Sequence, residues 1–172
     1  MVSSSDRKPF TFVGIDYFGP ILIKEMSHVV KIWVCLFTCL KVRAIHLEIV
    51  DDMSTQGFLL CMRRFIGRRG KPNMIVSDNA SQFTLGNAVM DKVWLDVLKD
   101  DNLHSYIATE KIIWKWITEY APWKGGFYER LVGSVKRSLK KSLGKCVVTR
   151  DQMLTLVVEI EAIVNSRPLL YN

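Results

Sequence analysis

Three acidic residues stand at points of the chain where a carboxylate needs an explanation. Asp16 lies inside the apolar segment VGIDYF, Asp78 follows the apolar segment NMIVS, and Glu129 opens a strongly basic segment. A carboxylate within an apolar strand must be paired or solvated to be tolerated. Three carboxylates from separate elements suit two Mg²⁺ ions, which prefer oxygen ligands and together promote in-line phosphoryl displacement. The pattern therefore predicts a two-metal phosphoryl-transfer site.

The positive charge of the chain is concentrated around Glu129. The formal net charge is +7 at pH 7, and residues 124 to 145 hold seven basic residues and a single acid. At about 100° per residue, Lys136 and Lys140 lie within about 20° of Glu129 on one side of a helix. Clustered basic side chains bind phosphates. The basic residues expected to contact DNA are Lys124, Lys136, Arg137 and Lys140.

Each acid also has a structural explanation. Asp78 begins an Asp-Asn pair, which is favoured in turns. Glu129 near a helix N-terminus complements the helix dipole, worth about 0.3–1 kcal/mol. Asp16 is the hardest to explain in this way. Glu119 is a rival for the third acid, but it precedes the turn at Pro122 and lies at a strand end.

Hydrophobic patterning predicts a mixed α/β domain. Predicted strands cover residues 10–18, 29–37, 42–49, 73–77 and 112–118, the first closed by Gly19-Pro20. A first helix is predicted to begin after Ser54 and to end at Gly67 and Gly70. Further helices are predicted over residues 87–99, 103–110, 127–143 and 150–166. Antiparallel strands followed by strands separated by helices are typical of a mixed sheet covered by helices.

The two C-terminal helices have clear apolar stripes at helical spacing. The first is expected to bury Val132, Val135, Leu139 and Leu143. The second is expected to bury Met153, Val157, Ile160 and Val164, a stripe that also suits a dimer helix.

Composition indicates one globular domain with a sizeable core. The 172 residues are 49% hydrophobic and 24% charged, which is typical of folded proteins. There is neither a membrane-length apolar run nor a hydrophobic signal region, so we expect an intracellular, soluble protein without membrane contact. Cys35, Cys39, Cys61 and Cys146 form no CxxC pair, so buried reduced thiols and no zinc site are expected.

Four segments together resemble the integrase core of retroelements, especially of BEL/Pao long-terminal-repeat retrotransposons. They are GIDYFGP, RRFIGRRGKPNMIVSDNASQF, APWKGGFYERLVGSVKRSLKK and IEAIVNSRPL. The resemblance implies a ribonuclease H-like α/β fold with a five-stranded mixed sheet flanked by helices (βββαβαβαα). It also implies a flexible segment over 1–8 and a catalytic core over 9–170, with no zinc-binding domain and no C-terminal basic domain.

The resemblance implies a polynucleotidyl transferase that uses two Mg²⁺ (or Mn²⁺) ions. Its catalytic and metal-binding triad falls on Asp16, Asp78 and Glu129, separated by 61 and 50 residues. The second interval is longer than in retroviral integrases, as the BEL/Pao resemblance implies. Water would cleave near the 3′ end of the element, and the freed 3′-hydroxyl would attack target DNA.

Further roles follow only from the resemblance. The partners implied are retroelement DNA ends, target DNA and other copies of the chain, as a homodimer or higher oligomer, in the nucleus after a cytoplasmic particle stage. Two positions depart from the family pattern, since Ala80 replaces a glycine and Gly133 an often basic residue. The DNA-contacting residues implied are Asn79, Ser81, Gln82, Tyr120, Lys124, Gly125, Gly126, Lys136, Arg137 and Lys140.

Two alternatives remain open at this point. One is a ribonuclease H-like nuclease, and the other is a domesticated, catalytically silent DNA-binding or assembly module. The presence of all three acids argues against the silent module, whereas Ala80 and the missing domains favour it. The basic cluster at residues 63–71 is interpreted as a solvated helix end rather than a nuclear-localisation or DNA-binding patch.

Overall fold

The structure is a computed structural model that describes residues 8–78, 88–117 and 127–167. The strands are β1 (Phe12–Glu25), β2 (His28–Cys39), β3 (Ile45–Val50), β4 (Met74–Asp78), β5 (Ile113–Ile117) and β6 (Val148–Thr149). The helices are α1 (Thr55–Arg69), α2 (Ala88–Leu98), α3 (Asp101–Glu110), α4 (Phe127–Leu143) and α5 (Arg150–Asn165). Among these described residues, no helix is both long and apolar enough to cross a membrane.

The sheet is mixed, and β1 lies at its centre. Five strands follow the order β3-β2-β1-β4-β5, and the two-residue β6 pairs with β1 as an addition to the predicted five. β1 runs antiparallel to β2 and parallel to both β4 and β6. One apolar core forms between the sheet and α1, α2 and α3, and a second between the sheet and α4 and α5. The predicted mixed sheet flanked by helices is confirmed.

β1 continues through Gly19-Pro20, where the sequence predicted its end. The pairing with β2 shifts between Phe18 and Ile21, so that Gly19-Pro20 together lie opposite Trp33. Two residues opposite one form a β-bulge, which bends a strand and leaves a residue unpaired. Glycine and proline therefore mark an irregularity inside this strand, and the prediction of a strand end there was wrong.

The bulge changes which side chains of β1 face α4 and α5. Before it, Ile15 and Tyr17 belong to the core beneath α1, while Phe18 belongs to the core beneath α4. After it, Ile21 and Ile23 take the α4 side. Side chains alternate strictly along a regular strand. The extra residue of the bulge therefore turns the odd-numbered side chains from the α1 side of the sheet to the α4 side.

The predicted helix signals are largely confirmed. Ser54 caps α1 by accepting a hydrogen bond from the Gly57 amide, and Gly70 is its C-cap, but Gly67 lies inside the helix rather than at its end. In α4 the predicted apolar stripe packs into the core on that side of the sheet: Val132, Val135 and Leu139 are buried and Leu143 is partly buried. In α5 the stripe from Met153 to Val164 is buried in the intramolecular core.

Side chains of α5 close the outer edge of β3. Asn165 accepts a hydrogen bond from the Ile45 amide (2.7 Å) and donates one to the Ile45 carbonyl (2.9 Å). Glu161 accepts a hydrogen bond from the Leu47 amide (2.8 Å). Open edge strands invite pairing with other chains. The carboxyl-terminal segment IEAIVNSRPL thus has a structural role at Glu161 and Asn165.

The basic cluster at residues 63–71 is not simply a solvated helix end, because three of its arginines form ion pairs. Arg64 Nε lies 2.7 Å from Glu48 Oε2, and Arg68 Nη1 lies 3.2 Å from Glu48 Oε1. Arg69 pairs with Glu161. These contacts join α1 to β3 and α5, so three of the five basic residues of the cluster have partners within the molecule.

His46 lies buried between two carboxylates of the same network. Its Nε2 is 2.8 Å from Glu48 Oε1, and its Nδ1 is 3.4 Å from Glu161 Oε2. Burial alone lowers the pKa of His46, but hydrogen bonds to Glu161 and Glu48 outweigh burial and raise that pKa. This contribution to stability is complete below the ordinary histidine pKa of about 6.5 and is lost as pH rises through the raised value.

The cysteine prediction is confirmed for three residues and wrong for one. Cys35, Cys39 and Cys61 are buried free thiols, whereas Cys146 is exposed. Cys146 follows the end of α4 at Leu143, where the chain turns before β6, and its thiol therefore remains accessible.

Gly19→Ala is expected to lower the free energy of unfolding by about 2 kcal/mol or more. Gly19 has φ +142°, and a Cβ there would lie 2.8 Å from Trp33 Cδ1. Urea unfolding of the purified chain measures the change. Gly67→Ala is the control, because its Cβ would meet nothing within 4 Å in mid-helix, and it should stabilise by up to about 1 kcal/mol. Equal effects of the two substitutions would contradict the bulge geometry.

Candidate active site

Asp16 lies on the central strand and contacts a lysine of α4. Lys136 Nζ is 3.2 Å from Asp16 Oδ2, and the two side chains are 44% and 31% exposed. Lys136 Nζ also lies 5.7 Å from the centre of the Phe18 ring. An ion pair this exposed is worth about 1 kcal/mol or less. The ammonium group therefore neutralises Asp16 without fixing it permanently, and another cation can replace it.

The backbone of Asp78 is a neighbour of Asp16 in the sheet. β1 and β4 are parallel, with Val13 beside Ile75 and Ile15 beside Ser77. The same register continued by one residue sets Asp16 beside Asp78, which ends β4. Neighbouring strands are about 4.8 Å apart. Two of the predicted acids thus occupy adjacent backbone positions, although the carboxylate of Asp78 lies outside the described part of the chain.

Glu129 belongs to the helix that carries Lys136. It lies in the first turn of α4, seven residues before Lys136, which is about 10 Å along a helix axis. Its carboxylate, like that of Asp78, is outside the described side chains. The structure thus shows the contact of Asp16 with Lys136, the backbone position of Asp78 beside Asp16, and Glu129 on the contacting helix.

The predicted DNA-contacting residues fall into two groups. Lys136, Arg137 and Lys140 are exposed along α4. Gly133, which stands where the family often has a basic residue, is half-buried. A Cβ added to Gly133 would lie 3.5 Å from Arg137 Nη1. The second group lies outside the described residues, as do the rival acid Glu119 and the remaining loop positions. These residues are Asn79, Ala80, Ser81, Gln82, Glu119, Tyr120, Pro122, Lys124, Gly125 and Gly126.

The chemistry of Asp16 fits a divalent metal. Its carboxylate is partly exposed and already holds a cationic group at 3.2 Å. Carboxylate oxygens are the ligands that Mg²⁺ prefers, and this ion usually keeps several waters, so few protein ligands suffice. Within residues 8–78, 88–117 and 127–167, no three histidine, cysteine, aspartate or glutamate side chains come together as a metal site.

Sequence comparison finds no matching protein family and no matching curated protein. Comparison of the fold gives clear matches. The HTLV-2 integrase catalytic core domain, in a dimeric form in complex with magnesium, superposes with a TM-score of 0.62 at 14% identity, covering 94% of this chain and 90% of that chain. The fold is that of retroviral integrase catalytic cores.

Two further structures support the same assignment of the fold. The catalytic core domain of BIV integrase gives a TM-score of 0.59 at 14% identity, over 87% of this chain and 82% of that chain. A simian T-cell lymphotropic virus intasome in complex with the PP2A regulatory subunit B56 gamma gives 0.61 at 12% identity. This match covers 96% of this chain and 57% of that chain. The integrase-core, ribonuclease H-like fold implied by the sequence is therefore confirmed.

The contact between Asp16 and Lys136 is the part of the site that the sequence did not predict. The sequence placed Lys136 at DNA phosphates, whereas in the free chain its ammonium group is held by Asp16. A local signal exists, because a carboxylate within an apolar strand needs a cationic partner. From the sequence alone, several basic residues of α4 are equally good partners for Asp16. The packing of α4 on β1 selects Lys136.

Lys136→Met is expected to strengthen Mn²⁺ binding to the DNA-free chain by up to about fivefold, because the metal no longer competes with an ammonium group worth up to about 1 kcal/mol. Electron paramagnetic resonance of free Mn²⁺ measures the dissociation constant directly. Lys141→Met, which removes an exposed lysine of the same helix, should change it little, and Asp16→Asn should weaken it. Equal affinities in the two lysine variants would contradict competition at Asp16.

Proposed function

We propose that this chain is the catalytic core of a DNA integrase. It is a polynucleotidyl transferase that trims the 3′ ends of retroelement DNA and joins them to target DNA. The observation that carries the proposal is the exposed carboxylate of Asp16, paired with Lys136 on the central strand of an integrase-core fold. In the sheet, the residue before Asp16 pairs with the residue before Asp78, since Ile15 lies beside Ser77. An ion pair with only a structural role would not need a second acidic residue, Asp78, on the neighbouring strand β4.

Asp16, Asp78 and Glu129 are the residues that would hold two Mg²⁺ or Mn²⁺ ions. When bound, such ions stabilise the charge on the attacking and leaving oxygens of a phosphodiester. Asp16 supplies carboxylate oxygens from a rigid strand, and Lys136 keeps that carboxylate neutralised in the free chain. Lys136, Arg137 and Lys140 then offer phosphate contacts along the exposed side of α4.

The chain is further proposed to derive from a BEL/Pao retrotransposon, to bind retroelement DNA ends and target DNA, and to work in the nucleus. The HTLV-2 core described with magnesium supports divalent metal use, and the simian intasome supports an assembly on DNA. A homodimer or higher oligomer is supported by the dimeric form of the HTLV-2 core. One face of α5 adds support, since Leu154 and Val158, one turn apart, are large apolar residues exposed there.

Asp16→Asn, Asp78→Asn and Glu129→Gln are each expected to reduce metal-dependent joining by about 100-fold or more, since several kcal/mol of charge stabilisation at the reacting phosphate is lost. The substrate is a branched oligonucleotide that mimics the integration product, assayed with Mn²⁺ or Mg²⁺. Asp96→Asn, which removes an exposed acid of α2, should retain activity.

Three other outcomes of the joining assay contradict the proposal in different ways. Metal-dependent cleavage without joining would indicate a ribonuclease H-like nuclease. DNA binding with neither reaction, and metal affinity unaltered in the triad variants, would indicate a catalytically silent DNA-binding or assembly module. Full activity of Asp16→Asn would remove Asp16 from the site altogether.

A further inference from the structure

A pocket of about 350 Å³ opens beside Lys136, between the second half of β1 and the C-terminal end of α4. Its walls are mostly apolar and include Phe18, Leu22, Leu139 and Val147. Leu22 and Val147 are each 47% exposed. Ligand pockets of proteins begin at about 300 Å³ and are lined chiefly by apolar and aromatic side chains. The volume and the lining suit a flat, largely apolar group.

The rim of this pocket is positively charged. Lys136 and Lys140, one turn apart on α4, and Lys145, just after the helix, line it. No acidic residue is among its lining residues, and neither Lys140 nor Lys145 has an ion-pair partner in the described part of the chain. An apolar wall under unpaired ammonium groups fits a ligand that is anionic on one side and flat and apolar on the other.

The pocket is continuous with the candidate active site. Lys136 contacts Asp16 with its ammonium group and lines the pocket with the same side chain. Lys140 lies about 6 Å further along the helix axis. A nucleic-acid strand held at Asp16 and following α4 therefore passes over the pocket with its phosphates at the lysines.

We propose that this pocket receives one unpaired nucleotide of the bound DNA strand. The base lies against Phe18, Ile21 and Val147, and the phosphates of the strand lie at Lys140 and Lys145. Unpaired bases are held by apolar and aromatic side chains beside a positively charged groove. The inference rests on the proposed function, because it takes the strand to start at Asp16.

The native thiol of Cys146 provides the test. Cys146 lines the pocket and is exposed, while Cys35, Cys39 and Cys61 are buried. Branched oligonucleotides carry an activated disulfide on one base, moved position by position along the strand. The Cys146 thiolate attacks this disulfide and displaces its leaving thiol, so that a disulfide joins protein and base. Cross-linking is expected at one or two unpaired positions and should disappear in Cys146→Ser.

A polar side chain placed in the pocket gives the second arm of the test. Val147→Asn is expected to reduce both the cross-link yield and the affinity for DNA with an unpaired nucleotide by about tenfold. It should leave the affinity for fully paired duplex unchanged, because it adds no charge beside the lysines. Ile113→Asn is the matched control, because Ile113 is an exposed apolar residue of β5 outside the pocket lining (58% exposed). It should change neither quantity.

The outcomes separate this inference from the proposed function. Uniform cross-linking along the strand, or cross-linking unaffected by Val147→Asn, in a chain that still joins branched DNA would refute the nucleotide pocket and leave the integrase proposal intact. Absence of both DNA binding and joining would refute the proposed function and the pocket with it. Position-specific cross-linking that Val147→Asn reduces about tenfold would establish the pocket.

Discussion

Asp16 sets a negative charge on the central strand of the sheet, and Lys136 neutralises it at 3.2 Å. For that contact to form, α4 must lie across the central strand. Val135 and Leu139, buried in the same core as Ile23, hold it there. The β-bulge at Gly19-Pro20 turns Ile23 to that side. The packing of the helix on the bulged strand thus brings the two groups of this partly exposed ion pair together.

The weakness of this pair suits a site that must accept other cations. Buried carboxylates held by several partners, such as Glu48 among His46, Arg64 and Arg68, tie elements together. Within the described residues, Asp16 instead pairs with one partly exposed lysine. An exposed pair contributes about 1 kcal/mol or less to stability. The fold therefore remains stable when another cation replaces the Lys136 ammonium group.

Features encoded within one element could be predicted from the sequence. The bounds and buried stripe of α4, the cap at Ser54 and the stripe of α5 follow from helical spacing and cap residues that lie next to one another in the chain. The mixed sheet followed from the order of strands and helices. The three acids were found because each departs from its local context, although only Asp16 has a described side chain.

Features that depend on distant partners could not be predicted. Continuation of β1 through Gly19-Pro20 depends on β2 accommodating the bulge, and local turn chemistry points to the opposite conclusion. The two residues of β6 form a strand only because β1 lies beside them. Arg69 looked solvated because its partner Glu161 is far along the chain. The exposure of Cys146 likewise follows from where α4 ends against β1.

The most direct test of the account is anomalous diffraction from crystals of the chain soaked in Mn²⁺. We expect a Mn²⁺ peak about 2.1 Å from a carboxylate oxygen of Asp16, with the Lys136 ammonium group withdrawn from the 3.2 Å contact it makes in the free chain. A crystal in which the pair between Asp16 and Lys136 persists at saturating Mn²⁺, with no metal at Asp16, would contradict the central claim that this carboxylate is a metal ligand.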